Sequence, residues 1–484
     1  MAALMNRPPS SNNFKDGNTI LDKYMATPDP VYGYKLASQT ENPAATIYIL
    51  NMTSLAYLTP SEVGIRSIWT HALTVVVPKN LNKNLRTASL LINGGDNIRP
   101  IPDSNDVNDL VLVASVTRSI IADLTQIPNQ PIVFASDPAK QSRTEDEITA
   151  FTWRHFLNNT KDGSAASDWI IQLPMAKSAK LAMDSMQSFI NSIMGVKSGQ
   201  FIENFTVLGG SKRGWTTWLV AATDKRVKTI IPIVIQVLNF KQILEHVYNS
   251  LCSWPQSMEA YTDQGVMNLL ETKEFAQLTQ IIDPLVYKER YANINKFIIN
   301  GLGDIFFWPD LALYSYPQLP GSDDLKRIRY IPNVGHSMAG SDIWETILTF
   351  SFATLYNITL PTYTFSHNYA PEGAYVQIRI LNGVTPFRVT LWASTNEKAR
   401  DFRITETGKS FEPTVIRSTT PDDPWSYNVF VPNPAKGWTA FSVEMEFGLA
   451  GNDNGIPIPL PPIKFSSAGY VTPTSLPCKY PGSQ

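Results

Sequence analysis

The chain has little of what would narrow its chemistry at once. It carries two cysteines, Cys252 and Cys478, in 484 residues, which excludes a disulfide-dense scaffold. The pair can bond in an oxidising compartment or both stay free. Charged residues make up 17% of the chain and the net charge is −2. No basic run stands out, so the composition argues against nucleic acid as a partner. No apolar stretch reaches the roughly 18 residues of a membrane-spanning helix. The polar, Pro- and Asn-rich segment from Met1 to Asp16 lacks the long apolar core of a signal peptide. It reads as a flexible N-terminus, and a signal removed on maturation would be compatible with it. Sequons at Asn51, Asn158, Asn204 and Asn357 permit secretion without arguing for it.

What is present is a chemically suggestive turn. Val207-Leu208-Gly209-Gly210-Ser211-Lys212-Arg213-Gly214-Trp215 joins an apolar run, Phe205 to Leu208, to a helical pattern over Lys212 to Thr223. Strand, Gly-rich turn, serine and helix make the layout of a nucleophile elbow. A serine hydroxyl is a weak nucleophile and must stand clear of the sheet beside a base and N–H donors. The helix N-terminus offers such donors. The usual G-x-S-x-G spacing is broken: Arg213 stands two places after Ser211, and the glycine falls at Gly214. Taken alone, the segment fits a glycine turn with an N-capping serine better, since such turns are common.

The order of parts downstream adds to it. In α/β-hydrolases, whose nucleophile sits on such an elbow, the triad runs Ser, Asp or Glu, then His. Three histidines follow Ser211: His246, His336 and His367. His336 lies in a Pro332-Asn333-Val334-Gly335 loop after the apolar Arg327 to Ile331 run, where a base would reach the serine. His246 falls in a helical stretch and reads as a surface or lid residue. His367 has no partner signal. The acid is assigned to Asp304, which follows the strand Lys296 to Asn300 through Gly301-Leu302-Gly303; Asp310 is the competitor. Oxyanion donors are assigned to the backbone of Lys212 and to the Asn93-Gly94-Gly95-Asp96 loop at Gly95 and Asp96, after the buried strand Thr87 to Ile92. The Lys212 ammonium would add charge there, or else be a solvated helix residue. Glu145 and Glu147 are candidate carboxylates for a substrate amine, though a solvated helix start is the reading preferred for them. Trp308 is placed at the substrate. Neither a metal nor a cofactor is called for.

Apolar strands alternate with helical stretches to about residue 361. Strands are expected over His71–Pro78, Thr87–Ile92, Pro131–Ala135, Phe205–Leu208, Lys228–Ile235, Lys296–Asn300 and Arg327–Ile331. Helices are expected over Thr144–Leu157, Lys177–Met194, Lys212–Thr223 and Ser337–Tyr356. This pattern predicts a mostly parallel sheet wrapped by helices, an α/β-hydrolase domain over residues 17–361. A helical insertion at about 239–291 would form a lid. Its Trp254, Tyr261, Phe275 and Tyr287 would line a pocket or bury the lid on the body. From residue 362 short strand-like runs predict an antiparallel β-sandwich over 362–484. Its strands are expected at Ala374–Leu381, Phe387–Ala393, Phe402–Thr405, Trp425–Phe430 and Ala440–Phe447. Ile456–Pro462 reads as an extended crossing segment.

Several of these motifs together resemble the PhoPQ-activated pathogenicity-related protein family. They are Gly209-Gly210-Ser211-Lys212-Arg213-Gly214-Trp215, Arg143-x-Glu145-Asp146-Glu147, Gly303-Asp304-x-Phe306-Phe307-x-Pro309-Asp310, Pro332-Asn333-x-x-His336-Ser337 and Ala399-Arg400-Asp401-Phe402-Arg403. Gly335 departs from the polar residue that such relatives often carry before the histidine. The resemblance covers nearly the whole chain. It implies a hydrolase domain plus a β domain and a secreted or envelope location, with eukaryotic relatives acting as growth-inhibitory signals. Three functions follow as expectations: a secreted serine hydrolase, either a peptidase or an esterase; a signalling protein read by a cell-surface receptor; and a glucuronoyl-type carbohydrate esterase, whose elbows the serine–basic residue–glycine order resembles. A peptide or ester substrate is the partner implied.

Overall fold

The computed structural model of the chain describes residues 17–98, 104–160, 166–449 and 460–482. The expected flexible segment 1–16, and most of the expected crossing segment at 456–462, lie outside them.

Among the described residues one large sheet carries the N-terminal part. Its strands are β1 (Gly33–Glu41), β2 (Ala45–Ala56), β3 (Ile68–Pro78), β4 (Thr87–Ile92), β5 (Ile121–Leu124), β8 (Asn204–Gly210), β9 (Val227–Ile233), β10 (Asn295–Gly301) and β11 (Lys326–Ile331). Two short strands, β6 (Ile132–Val133) and β7 (Ser142–Arg143), form a separate ribbon. The spatial order is β1-β2-β3-β5-β4-β8-β9-β10-β11. The first three strands and β5 pair antiparallel; from β5 to β11 every pairing is parallel. With helices between the parallel strands, this is the α/β-hydrolase fold. The central strands are short apolar runs because both their faces are covered. Leu90, Val207, Ile230 and Ile299 are all fully buried. The chain reverses direction across the sheet at β4, and the ends of β4, β8, β10 and β11 deliver the loops of the site.

Several expectations shift. The Pro131–Ala135 run is not a strand of the main sheet but half of the ribbon, because Ile121–Leu124 takes the slot beside β4. The Ser337–Tyr356 helix begins only at Ile343, since Met338 adopts φ 56° and the preceding residues form the His336 loop. Residues 239–291 are a helical insertion between β9 and β10, with α-helices at Phe240–Leu251, Glu259–Asp263 and Lys273–Ile282. The carboxylate of buried Asp283 anchors its base, accepting N–H bonds from Asn239 and Phe240 at 3.2 and 2.8 Å.

The C-terminal strands are β12 (Tyr363–Ala370), β13 (Gly373–Ile380), β14 (Arg388–Asn396), β15 (Glu412–Val415), β16 (Ser426–Pro432), β17 (Trp438–Phe447), β18 (Ile463–Ser466) and β19 (Tyr470–Thr472). They form two antiparallel sheets, β12-β13-β16 and β15-β14-β17-β18, with β19 pairing β17. Along β13, Val376, Ile378 and Ile380 are buried while Tyr375, Gln377 and Arg379 face out, the period-two pattern of a sheet covered on one face. The expected strand Phe402–Thr405 is instead an entry into a helical turn, Ile404–Thr407.

The two parts share one core. Phe297 of β10 meets Phe465 of β18 at 5.3 Å between centroids, and the Tyr330 N–H donates to Ser466 Oγ at 2.8 Å. Arg329 reaches Glu444 and Asp342. Cys252, at the end of the first insertion helix, is bonded to Cys478 in the C-terminal tail. Nearby, Tyr480 donates its hydroxyl to Met267 O. The insertion is therefore tied at its outer end to the β domain.

Candidate active site

Ser211 stands at the junction of β8 and the helix Lys212–Thr223. Its backbone is at φ 54°, ψ −127°, a region that side chains avoid. The Ser211 N–H donates to Ile233 O at 2.8 Å, and its carbonyl accepts from Trp215 N at 3.1 Å, so sheet and helix hold the turn from both sides.

The displaced glycine has a steric explanation. A Cβ at Gly209 would lie 2.7 Å from Arg213 O, and one at Gly214 would lie 2.6 Å from Ile235 Cγ2 and 2.9 Å from Gly209 O. Strand and helix cross at these two residues, and the Arg213 guanidinium lies against Gly94 and Glu145. Gly210 has open space around the same position. Gly214→Ala is therefore expected to cost about 1–3 kcal/mol, the usual range for overpacking, whereas Gly210→Ala leaves the thermal midpoint nearly unchanged. Equal melting of the two variants would contradict this account.

The His336 ring bridges serine and acid. Its Nε2 lies 2.8 Å from Ser211 Oγ, and its Nδ1 lies 2.9 and 3.0 Å from the Asp304 carboxylate oxygens. Asp304 is 3% exposed, and its Oδ1 also accepts N–H bonds from Phe306 at 2.7 Å and Phe307 at 3.2 Å. With Nδ1–H donated to Asp304, Nε2 is left as the acceptor for the serine proton. Phe306 covers the ring at 4.6 Å between centroids.

The β domain props both loops. Ile404 N donates to Gly303 O at 2.9 Å, and Cβ atoms at Gly303 and Gly335 would lie 3.1 and 2.8 Å from Ile404 side-chain carbons. Glycine before His336 is thus what the Ile404 contact requires. The Asn333 amide exchanges two hydrogen bonds of 2.9 Å with the Phe411 backbone.

Asp310, the competitor for the acid, is elsewhere. It is buried against His246 Nε2 at 3.0 Å and Arg400. His246 is not a surface residue: it is 5% exposed on the first insertion helix. Tyr314 OH lies 2.8 Å from its Nδ1. Nε2–H must donate to Asp310, so the Arg400 Nη1 that lies 3.2 Å away makes its hydrogen bond to Ser250 Oγ at 2.9 Å instead.

Arg213 organises the opposite wall. Its Nη1 and Nη2 donate to the two oxygens of Glu145 at 2.8 and 2.6 Å, and its Nε donates to Ile127 O at 2.5 Å. Its guanidinium lies against Gly94, where a Cβ would come within 3.0 Å of Nη2. Gln130 links the same parts, donating to Gly95 O at 3.1 Å and to Glu145 at 2.8 Å. Gly95 sits at φ 102°. Asp96 Oδ1 accepts from Ile98 N at 2.8 Å, within the same loop. Burial works against the Glu145 charge, but Arg213, Lys212 and Gln130 overcome it and pull its pKa down to about 2. Glu145 is therefore ionised and bidentate to Arg213 rather than waiting for a substrate amine.

Other candidates separate from the site. The Glu147 carboxylate accepts from Thr144 N at 3.0 Å in a capping box, which makes it a helix cap. Trp308 is 1% exposed and donates its indole N–H to Arg400 O at 3.1 Å, inside the core. The Lys212 ammonium is neither solvated nor free: it meets Asp146 at 2.8 Å and Glu145 at 3.4 Å. Sequence reasoning passed over Asp146, whose other oxygen accepts from Tyr261 OH at 2.8 Å. The adjacent bases Lys212 and Arg213, set against the adjacent acids Glu145 and Asp146, were the signal. Of the four insertion aromatics singled out in the sequence, Tyr261 borders the cavity beside Ser211, and Phe240 borders it too. Phe275 and Tyr287 bury the insertion, and half-buried Trp254 packs on Tyr248 and Tyr480.

Among the described residues no three His, Cys, Asp or Glu side chains are grouped to hold a metal ion, and no helix is long and apolar enough to cross a membrane. Solved structures similar to this chain include acetyl xylan esterase 1 from Thermoanaerobacterium sp., at 17% identity and TM-score 0.41 over 69% of this chain and 93% of that one. A glucuronoyl esterase from Solibacter usitatus matches at 14% identity and TM-score 0.41, over 69% and 91%. By sequence the chain is 33% identical, over 95% of its length and 92% of the relative's, to autocrine proliferation repressor protein A of Dictyostelium discoideum. The model of the PhoPQ-activated pathogenicity-related proteins matches residues 21–403, and the chain belongs to that family.

Proposed function

We propose that this protein is a secreted serine hydrolase, cleaving an ester or a peptide, with Ser211 as nucleophile, His336 as general base and Asp304 as the residue that orients it. The single observation behind this reading is the hydrogen-bonded chain Ser211–His336–Asp304, built on a strained elbow. Ser211 Oγ attacks the substrate carbonyl carbon while its proton passes to His336 Nε2. The oxyanion is met by the backbone N–H of Lys212 and by the loop at Gly95 and Asp96. Collapse breaks the carbonyl–leaving-group bond, and the proton on Nε2 goes to the leaving atom. Water, deprotonated by the same nitrogen, then releases the acid and regenerates Ser211. Secretion is supported by the Cys252–Cys478 disulfide, a bond typical of oxidising compartments.

A second reading is favoured by the proliferation repressor that resembles the chain along nearly its full length. In it the protein is also an extracellular growth-inhibiting signal recognised by a cell-surface receptor, with turnover dispensable for that role. A carbohydrate esterase of glucuronoyl type is the third, resting on the elbow pattern alone. The test of the first is a fluorophosphonate, which reports an activated serine whatever the substrate. Labelling should fall on Ser211 alone, and labelling that persists in Ser211→Ala sinks the assignment.

A further inference from the structure

The cavity that opens beside Ser211 is narrow, with about 50 Å³ open to water-sized groups, where a single water needs roughly 10–15 Å³. Its walls are mostly carbon. The floor is Trp153 and Trp215, one on the helix Glu145–Asn159 and one on the helix that Ser211 opens. Both indole N–H groups are turned away: Trp153 donates to Gln172 at 3.0 Å, and Trp215 donates to Ile282 O at 2.6 Å. What the two residues offer the cavity is ring surface. The insertion provides the roof, with Phe240, Leu244 and Met267 among its contacts.

Polar groups do reach the wall, at Asp146, Lys212 and Tyr261. They are paired with one another. Tyr261 OH donates to one Asp146 oxygen and Lys212 Nζ to the other, each at 2.8 Å. A sugar ring placed here would lose its water without gaining partners, at a cost for each unpaired hydroxyl. An alkyl or aryl group would lose nothing and bury apolar surface.

We propose that this cavity is the acyl pocket, and that the substrate is an ester or amide whose carbonyl carries an apolar group of several carbons. The inference rests on the serine-hydrolase reading and deepens it. The acyl group enters the cavity while the leaving alcohol or amine departs past His336. Ser211 Oγ forms the new bond to the carbonyl carbon, the bond to the leaving atom breaks, and that atom takes its proton from His336 Nε2.

The test is a series of p-nitrophenyl esters with a constant leaving group. Each methylene buried should raise kcat/KM about fourfold, so hexanoate should exceed acetate by about two orders of magnitude. Leu244→Trp, which fills the roof from a helix that carries no triad residue, should cut the hexanoate-to-acetate ratio at least tenfold. Leu244→Ala should shift the optimum to longer chains. Binding is measured separately, from quenching of tryptophan fluorescence by butanoate, hexanoate and octanoate in Ser211→Ala protein. Affinity rising with chain length supports the pocket even if no ester is turned over, and in that case only the hydrolase reading fails. Ser211-dependent hydrolysis that is flat across the series, or faster on an acetylated or glucuronoylated sugar than on hexanoate, overturns the pocket and leaves the hydrolase reading standing.

Discussion

Ser211→Ala is expected to lower ester hydrolysis by at least about three orders of magnitude, the scale seen when one member of a working triad is removed. The variant should still fold. The Ser211 hydroxyl has His336 as its hydrogen-bond partner, and the elbow is held by backbone bonds and glycine contacts that alanine leaves intact. The strain at φ 54° stays in the alanine variant too. Ser211→Gly would relieve it, because glycine enters this region without a steric penalty. The glycine variant should therefore melt above the alanine variant, by an amount reflecting roughly 1–3 kcal/mol of stored strain. Equal melting would mean that the elbow is relaxed. Folded Ser211→Ala protein also separates the two proposed roles. Added to responsive cells, it should retain part of the growth inhibition. Full retention would make the fold the signal, and complete loss at unchanged stability would make hydrolysis the signal.

The parts of the fold that could be read in the sequence are those whose residues answer to one local demand. The strand Thr87–Ile92 and the helix Lys212–Thr223 end where the sequence ends them, since an apolar run and a helical stripe are each complete in themselves. The strands β1 and β2 went unread. Most of β1 is exposed on both faces at the sheet edge, so it carries no alternation. The four-residue β5 is too short to stand out from its surroundings. The Pro131–Ala135 run has the right residues for a strand, but a sheet position belongs to whichever segment the topology brings there. The site was legible where a loop follows a strand, as with Asp304 and His336. It was not legible where charge pairing decides. Glu145 and Glu147 are alike in sequence, yet one grips Arg213 and the other caps a helix. Trp308 looked available only because Arg400, its buried partner, is far along the chain.

Asp304 and Asp310 are the sharpest instance, and exchanging their roles gives the second large effect. Asp304→Asn should reduce turnover by about 10⁴-fold, because the amide no longer fixes the His336 tautomer. Its Oδ1 can still accept from Phe306 N, so melting should change little. Asp310→Ala should do the reverse. It leaves the Arg400 guanidinium buried and unpaired at 1% exposure, a loss of about 3–5 kcal/mol for a broken buried pair. The pH dependence follows. Burial alone would raise the Asp310 pKa, but Arg400 and His246 more than reverse it and hold the carboxyl below its usual range. A carboxyl depressed in the folded state stabilises in full above its unfolded pKa of about 3.9 and loses that contribution as the pH falls further. The gap in melting temperature between wild type and Asp310→Ala should thus be widest near pH 7 and narrow below about pH 4. A gap that widens in acid would reverse the assigned charge. An inactive but fully stable Asp310→Asn protein, beside an active Asp304→Asn one, would transfer the acid of the triad from Asp304 to Asp310.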